Sequence, residues 1–362
     1  MSPFARRSAS ACFAVVLSFG LPARAQEDLI VYDNDWNVPG SYIEQDALMP
    51  LLVSARVKVI GITSVTGDCW RDEGTASLLR YLEVIGREDI AVYNGAVFPL
   101  VNRPDRMRRW EATYGYIYWK GAWNDPAKFP NSHPDDPYQI VPPRDRMPLL
   151  KARSENAANY LVRVVREHPG QVTIFAGGPL TNIALAVCLD PSFASLAKRL
   201  VFFGGALSQI ADGDADGFHS DFDIIFDPEA AHIVLAAPWK KIISVAEVSN
   251  DFKLTPELMK RILRHRSPAA GYLAQNSAIG LPLWAEVATS VVADPTLVTK
   301  SFDVQMDVET DQGMNYGRTV TGPIKARPRF GVADVTVIQA IDGQRFVDQL
   351  VTAIQTDLER AK

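Results

Sequence analysis

The residues best suited to chemistry are carboxylates that follow short apolar runs. Asp33 and Asp35 come directly after the apolar run Leu29–Tyr32, and Asp46 lies at the start of the next predicted helix. Three carboxylates near one strand end repel one another unless a cation or protons intervene. Calcium takes oxygen ligands from carboxylates, carbonyls and water. The pattern therefore predicts a metal site; the alternative is a helix cap with a solvated turn.

Further polar or glycine-rich segments follow other predicted strands. Asp68 ends a Thr-Gly-Asp segment, and Gly177 and Gly178 lie between a strand and a helix. Glycines let the backbone approach a ligand closely, so a carbonyl there could be a neutral metal ligand. A tight strand-to-helix turn is the alternative. Asp221 and Asp223 are expected on one side of an extended segment, where acids suit the hydroxyls of a sugar.

An alternation of strands and helices must position these residues. Apolar runs typical of buried strands alternate with helical segments. This alternation implies right-handed crossovers and a mainly parallel sheet, in which ligands bind beyond the carboxyl ends of the strands. We expect an α/β fold with a doubly wound, mainly parallel sheet flanked by helices. The predicted strands are 29–32, 57–62, 90–93, 172–176, 200–203 and 241–245, and the predicted helices are 42–53, 75–85, 155–167, 181–187 and 228–236.

Local signals add caps and one long loop. Ser154 is the predicted cap of helix 155–167, and Asp227 that of helix 228–236. Residues 98–151 form a long irregular stretch rich in Pro, Arg and aromatic residues, which is typical of a lid or binding loop. Its aromatic rings either stack on a base or form a small satellite core. They are Trp110, Tyr114, Tyr116, Tyr118, Trp119 and Trp123.

The first 25 residues have the pattern of a signal peptide. Arg6 and Arg7 precede an apolar stretch over 9–21, and Ala23-Arg24-Ala25 is a small-x-small cleavage site. We expect one α/β domain over 26–362 in an exported protein, periplasmic or secreted. An N-terminal anchor is the alternative. No later stretch of the sequence is apolar enough to be a transmembrane helix.

Composition and charge limit the partners. The 362 residues are 47% hydrophobic and 22% charged, which is ordinary for a globular protein. Without the three arginines of residues 1–25, the chain has 34 basic and 42 acidic residues, a net charge of −8. This disfavours nucleic acid and anionic membranes as partners. The two cysteines of the mature chain, Cys69 and Cys188, form either a disulfide or two buried free thiols.

Several motifs, in order along nearly the whole mature chain, resemble the inosine–uridine-preferring nucleoside hydrolase family. The strongest are the segments 178–186 and 227–231, joined by 92–96, Gly204-Gly205-Ala206 and 342–346. The resemblance implies hydrolysis of the N-glycosidic bond of nucleosides through an oxocarbenium-like state. In the family, Ca²⁺ holds the ribose 2′- and 3′-hydroxyls and one water, and an Asp removes the proton of that water.

The resemblance also implies roles for individual residues. Asp35 falls on the calcium ligand that is also the general base, and Asp33 and Asp46 would hold metal and water. Gly177 falls where a backbone carbonyl contacts calcium. Asp68 lies where many members have Asn, and Asp221 and Asp223 fall on the ribose-binding Glu and Asn. A small-molecule nucleoside is the expected partner, and because the family is commonly oligomeric, so is a homo-oligomer.

The chain departs from the family at three positions. Gln45 replaces the first Asp of a pair, after a turn lengthened to Trp36–Glu44. Ala285 occupies the position of another calcium-ligating Asp, and Trp284 replaces a histidine that protonates the leaving base in some members. We place Gln45 and Trp284 among the substrate-binding residues. Glu286 is adjacent to Ala285, but the next residue on a helix points about 100° away, so its substitution as a ligand would need a local shift.

Two other functions fit part of the sequence. A nucleoside- or sugar-binding relative without turnover would accommodate Ala285 and Gln45. A phosphohydrolase of the haloacid-dehalogenase type would explain Asp33-Asn34-Asp35 but not the segment 178–182. His219 is the candidate for the acid that protonates the leaving base. The alternative is that it is an ordinary loop histidine.

On export we expect cleavage after Ala25, because a small-x-small site follows the apolar stretch. Mass spectrometry of the processed protein should find an N-terminal peptide beginning at Gln26. An Ala25→Gln variant should accumulate unprocessed. Recovery of the wild-type chain with residues 1–25 attached in the membrane fraction would support the anchor instead.

Overall fold

The described residues build a single mixed sheet. The computed structural model describes residues 27–38, 44–125, 127, 133–207, 221–326 and 332–359. Its strands are β1 (Asp28–Asn34), β2 (Val57–Ser64), β3 (Val92–Asn94), β4 (Val172–Ala176), β5 (Arg199–Phe202), β6 (Ile242–Ser244), β7 (Val298–Val308), β8 (Thr319–Gly322) and β9 (Ala333–Ile341).

Helices connect most of these strands. They are α1 (Leu48–Val53), α2 (Arg71–Val84), α3 (Pro104–Tyr114), α4 (Ala157–Glu167), α5 (Thr181–Leu189), α6 (Phe193–Leu196), α7 (Phe222–Phe226), α8 (Pro228–Ala236), α9 (Ala246–Ser249), α10 (Pro256–Ile262), α11 (Pro268–Asn276), α12 (Trp284–Ala293) and α13 (Gly343–Gln355). Short 3₁₀ turns cover Gln45–Ala47, Gly121–Trp123, Pro295–Leu297 and Ile324–Ala326.

The strand order places β1 in the middle of the parallel part of the sheet. The order is β3-β2-β1-β4-β5-β6-β9-β7-β8. Strands from β3 to β9 in this order pair in parallel, and β7 and β8 are antiparallel additions at one edge. The order reverses at β1, because the chain runs from β1 out to β3 and returns to β4. Ligand sites of doubly wound sheets lie at such a reversal.

Two hydrophobic cores cover the two faces of the sheet. Alternate residues of β1 serve them in turn: Ile30 and Tyr32 pack in one core, and Val31 packs in the other. The first core draws on α1, α2 and α11 to α13, and the second on α4, α5 and α8. A strand buried on both faces must be apolar throughout, which is why 29–32 has no polar residue.

The structure confirms the predicted α/β sheet and most of the elements. The strand 172–176 and the helix 228–236 have the predicted bounds, and Asp227 caps that helix by accepting from the Ala230 N–H at 3.2 Å. The closing helix follows Asp342, whose side chain accepts from the Arg345 N–H. The early helix is shorter than predicted: Gln45–Ala47 is a 3₁₀ turn before α1, and residues 39–43 lie outside the described part.

Four expectations were wrong. Residues 98–151 are not irregular throughout, because they contain the helix α3, which begins at Pro104. Asn156 rather than Ser154 caps α4, since its side chain accepts from the Ala158 N–H. Asp221 and Asp223 lie at the start of the helix α7 rather than on an extended segment. Cys69 and Cys188 are both free, as one alternative held, but Cys188 is exposed rather than buried.

Part of the aromatic set of the long segment forms the satellite core, and stacking on a base stays a prediction. Trp110 and Trp123 belong to a satellite core with Met107, Ile117 and Tyr316. Trp119 instead donates to Asp68, so this ring reaches the carboxyl edge of the sheet. Within the described part of the chain, no helix combines the length and apolar character needed to cross a bilayer.

We expect Asp227→Ala to lower the free energy of unfolding by about 3 kcal/mol. The carboxylate of Asp227 is fully buried and accepts from the Thr181 hydroxyl, the Leu100 N–H and the Ala230 N–H, all of which would lose their acceptor. Urea unfolding measures the change. Asp342→Ala, at the more exposed cap of α13, should cost about 1 kcal/mol. Equal losses for the two variants would contradict this reasoning.

Candidate active site

The site begins at the carboxyl end of β1. Parallel pairing places Asp33 between Thr63 of β2 and Ala176 of β4. Asp33 Oδ1 accepts from the Thr63 hydroxyl and from Asn182 Nδ2, whereas Asp33 Oδ2 is buried without a hydrogen-bond partner. The Gly177 N–H donates to the Asp33 carbonyl at 2.8 Å. The structure therefore brings Gly177 against Asp33, as predicted for two residues of one site.

Asp35 lies between two strand-end loops that approach it as bare backbone. Asp35 Oδ2 accepts from the Asp68 N–H at 2.7 Å. A Cβ added to Gly67 would lie 2.1 Å from Asp35 Oδ2, and one added to Gly178 would lie 2.4 Å from Oδ1. No side chain fits at those distances, so both glycines are required by close approach. The carboxylate of Asp35, the predicted general base, is thus held between the main-chain atoms of two loops.

Residues 44–46 contribute a second group of polar side chains. Glu44 Oε2 accepts from Asn34 Nδ2 at 2.6 Å. Gln45 Nε2 donates to the Asn37 carbonyl at 2.7 Å and to Ser77, which leaves Gln45 Oε1 without a partner. Asp46 Oδ1 accepts from the Tyr81 hydroxyl at 2.6 Å, and Asp46 Oδ2 is unpartnered. These three residues therefore present acceptor oxygens near the end of β1.

Asp68 lies at the outer side of the site, at the N-terminal end of α2. Its Oδ1 accepts from Trp119 Nε1 at 2.6 Å and its Oδ2 from Asn37 Nδ2 at 3.2 Å. Two nearby residues contact the long segment 98–151. Trp70 donates to the Pro134 carbonyl, and Glu73 pairs with His133 at 2.8 Å. The long segment therefore forms one wall of the site through specific hydrogen bonds.

Asp223 belongs to the same group of carboxylates, and Asp221 anchors it. Asp221 Oδ2 accepts from the Ala206 N–H at 3.0 Å, so this side chain ties α7 to the loop after β5. Asp223 is 5% exposed, and its charge interacts with those of Asp35, Asp68 and Glu44. The preceding histidine candidate, His219, lies outside the described residues.

The start of α12 completes the site. Trp284 Nε1 donates to Asn250 at 2.7 Å. Ala285 is buried, and Glu286 is also buried, with 2% of its surface exposed. The charge of Glu286 acts on Asp46 and on Glu44, so this carboxylate lies within electrostatic range of the acidic group even though it follows the residue expected there. The packing of α12 against α1 and the turn 45–47 brings it there.

Burial makes these carboxyl groups hard to ionise. It raises the pKa of Asp33 to about 6 and that of Asp46 to about 8. Burial first, and then the charge of Asp68, raises the pKa of Asp35 well above its ordinary range. Burial and the charge of Asp35 do the same for Glu44 and Asp223. Desolvation thus raises the pKa at every position, and like charges add to it at all of them except Asp33.

The chemistry of the donors suits a hard cation. Among the described residues, no lysine or arginine forms an ion pair with Asp33, Asp35, Glu44, Asp46 or Asp223. Buried acceptors without donors are costly, and a divalent ion with oxygen ligands satisfies them. Within the described part, no three acidic, histidine or cysteine side chains already converge as a metal centre. The carboxylate and amide oxygens without a hydrogen-bond partner in the described part are those of Asp33, Asn34, Gln45 and Asp46.

Comparison with known proteins identifies the family. The profile described as "Inosine-uridine preferring nucleoside hydrolase" matches residues 30–348. The chain therefore belongs to the inosine–uridine-preferring nucleoside hydrolase family. This membership excludes the haloacid-dehalogenase alternative and confirms the resemblance seen in the sequence.

Individual relatives support the same assignment. The inosine-uridine preferring nucleoside hydrolase of Crithidia fasciculata is 24% identical over 327 residues, covering 86% of this chain and 94% of that one. Uridine nucleosidase 1 of Arabidopsis thaliana is 27% identical over 232 residues, covering 64% of this chain and 60% of that one. The solved structure of a purine-preferring ribonucleoside hydrolase from Gardnerella vaginalis has the same fold, with a TM-score of 0.69 and 20% identity over 90% of this chain and 98% of that one.

Sequence reasoning missed three members of the group. Glu44 closes the lengthened turn, Asn34 lies between two aspartates, and Asn182 lies within the motif 178–186. The Asn182 amide donates to Asp33 and accepts from the Ala96 N–H, so it joins the two. A polar side chain inside an otherwise apolar segment was the available signal for Asn182, whereas Asn34 gave no signal separate from its two acidic neighbours. Glu44 gave no local signal, because its burial depends on residues distant in sequence.

We expect the chelator-treated protein to become less stable as the pH rises from about 5 to about 8. Because the folded-state pKa values of Asp33 and Asp46 are raised, the folded chain retains protons that the unfolded chain releases. That stabilisation is complete below the unfolded pKa of 3.8 and is lost as the pH passes about 6 and then about 8. Thermal unfolding in EDTA across this range measures the trend.

Asp46→Asn is the control, because the amide keeps an acceptor for Tyr81 but does not titrate. This variant should lose stability less steeply at the upper end of the range. The pKa values of Asp190 and Asp294 are lowered to about 2, so these two groups change the stability only below this pH range. Stability that is constant or rises between pH 5 and 8 in EDTA would contradict the assignment of buried, unpaired carboxyls.

Proposed function

We propose that this protein hydrolyses the N-glycosidic bond of a nucleoside with a Ca²⁺ at the carboxyl edge of the sheet, with Asp35 as the general base. The observation that carries the proposal is the set of buried, unpartnered oxygens around Asp33 and Asp46, with which no basic side chain of the described residues forms an ion pair. Family membership supplies the reaction class. The products are the free base and ribose.

Asp35 is suited to take a proton from water. Its carboxylate is fixed by the Asp68 N–H and by the backbone at Gly67 and Gly178, so it cannot turn away from the site. Burial raises its pKa, which makes the carboxylate a stronger proton acceptor once it is ionised. A base held in one orientation also spares the cost of ordering it during the reaction.

The metal-holding residues would be Asp33, Asp35 and Asp46, together with the carbonyl of Gly177. When bound, Ca²⁺ would neutralise these carboxylates, hold vicinal ribose hydroxyls and increase the acidity of water. Asp33 is oriented by Thr63 and Asn182, and Asp46 by Tyr81, so each keeps one oxygen for the site.

The remaining predicted residues would bind the sugar and base. Asp68, after β2, and Asp223, in α7, bring acceptors for ribose hydroxyls, and Asp221 holds α7 through the Ala206 N–H. Gln45 Oε1 is a neutral acceptor in the group formed by residues 44–46. Trp284 begins α12 beside Glu286, where an indole face can pack on a base.

Export to the periplasm or the medium remains part of the proposal, on the strength of the signal sequence alone. So does a homo-oligomeric state, which rests on the family. An exported enzyme of this class would act on extracellular nucleosides, whose free bases and ribose can then be taken up separately.

We expect Asp35→Asn to lower kcat by roughly 10²–10⁴-fold, because the amide keeps the shape of the side chain but cannot accept a proton. Release of base from inosine and uridine with added Ca²⁺, followed by chromatography, measures the effect. The control is Asp28→Asn, a buried carboxylate at the opposite end of β1, which pairs with Arg199. It should leave kcat within about twofold of wild type, since it lies outside the site.

Two results would contradict the proposal. Turnover by Asp35→Asn at the wild-type rate would exclude Asp35 as the base. Tight binding of a nucleoside by the wild-type protein without release of base would instead favour a binding relative, the alternative raised by Ala285 and Gln45. Circular dichroism of each variant distinguishes loss of chemistry from loss of fold.

A further inference from the structure

Two positions of the site hold neutral side chains, and each has a buried glutamate as its neighbour in sequence. Gln45 follows Glu44, and Ala285 precedes Glu286. We propose that Glu44 and Glu286 supply, toward the bound Ca²⁺, the two negative charges that Gln45 and Ala285 lack. This inference rests on the proposed function and specifies which residues of this chain make its metal site.

Glu44 is tied to the end of β1 by a direct hydrogen bond. Its side chain is 5% exposed, and Oε2 accepts from Asn34 Nδ2 at 2.6 Å. Because the amide nitrogen of Asn34 is used by Glu44, the amide oxygen is turned to the other side. There it lies against the backbone of Gly177, where a Cβ would come within 2.1 Å, and it has no hydrogen-bond partner.

Glu286 lies near the same group on a different element. It is in the first turn of α12 with 2% of its surface exposed, and α12 packs against α1 and the turn 45–47. Its charge acts on Asp46 and Glu44, and also on the hydroxyl of Tyr32. Because its side chain is turned by about 100° from that of Ala285, direct contact with the ion requires a local shift of the helix.

The unpartnered oxygens indicate a cation rather than a purely structural acidic group. Asp33 Oδ2, Asn34 Oδ1 and Asp46 Oδ2 are all inaccessible to solvent and without a donor. A divalent ion takes oxygen ligands of these kinds, carboxylate and amide alike, and the added charges of Glu44 and Glu286 would strengthen its binding.

The physical alternative is that both glutamates are buried neutral acids that stay protonated and do not bind metal. Replacing such an acid with glutamine would leave Ca²⁺ affinity unchanged, since the amide resembles the protonated carboxyl in shape and charge. Replacing a charge that faces the ion would weaken binding. The isosteric substitution therefore separates the two cases without a large change in packing.

The experiment is calorimetric titration of Ca²⁺ into chelator-stripped wild-type protein, Glu44→Gln, Glu286→Gln and the double variant. We expect one strong site in the wild type and a roughly 10–100-fold higher Kd in each single variant, with a larger loss in the double variant. The control is Asp227→Asn, an equally buried carboxylate that bonds Thr181 and caps α8. It should bind Ca²⁺ as the wild type does.

The outcomes separate this inference from the proposed function. If the wild type binds Ca²⁺ and cleaves nucleosides while both single variants bind Ca²⁺ as tightly, the inference is wrong and the function stands. If one variant alone binds normally, the proposed pair is wrong. If the wild type fails to bind Ca²⁺ at millimolar concentration, the metal-dependent function itself fails. A weakened Kd with an unchanged melting temperature in EDTA supports the inference, because it excludes general unfolding.

Discussion

The transfer of several carboxylates out of water at one edge of a parallel sheet, where no basic side chain in the described ranges pairs with them, is the constraint on which this structure depends. The groups that do contact them are neutral donors: a threonine and an asparagine at Asp33, a tyrosine at Asp46, an asparagine at Glu44, and a tryptophan and an asparagine at Asp68. Neutral donors orient a carboxylate without cancelling its charge. The negative potential is therefore preserved for a ligand that carries positive charge.

The sheet provides the means of assembling this charge. Parallel strands deliver their carboxyl ends to the same edge, and β1 lies at the reversal of strand order with a neighbour on each side. Burial on both faces keeps β1 apolar from Leu29 to Tyr32, so the site carboxylates begin only at Asp33, near the end of the strand. Fold and site thus follow from the same pattern in the chain.

That pattern explains what the sequence could predict. Asp33 and Asp35 were predictable because an uninterrupted apolar run marks a buried strand and fixes where its end lies. Gly67, Gly177 and Gly178 were predictable as places of close approach because glycine between a strand and a helix is typical of such turns. Helix 228–236 had its start marked twice, by an aspartate cap and a following proline.

The remaining features depended on contacts between distant parts of the chain. Glu286 faces Asp46 because α12 packs on α1, more than two hundred residues away in sequence, and helix periodicity alone pointed it elsewhere. Asp223 lies in a helix of only five residues, which Asp221 directly precedes and which is too short for a periodic signal. The role of Trp119 depends on a hydrogen bond across 51 residues, so composition could not separate it from Trp110 and Trp123 in the satellite core.

The close approach of Gly67 and Gly178 to Asp35 has a consequence for how this site can vary. The central carboxylate owes its position to main-chain atoms of two loops, which have the same shape whatever side chains surround them. Peripheral residues are then free to exchange an acid for an amide or a methyl group without displacing the centre. A chain with glutamine at 45 and alanine at 285 can accordingly keep the same core geometry and redistribute its charge among neighbouring positions.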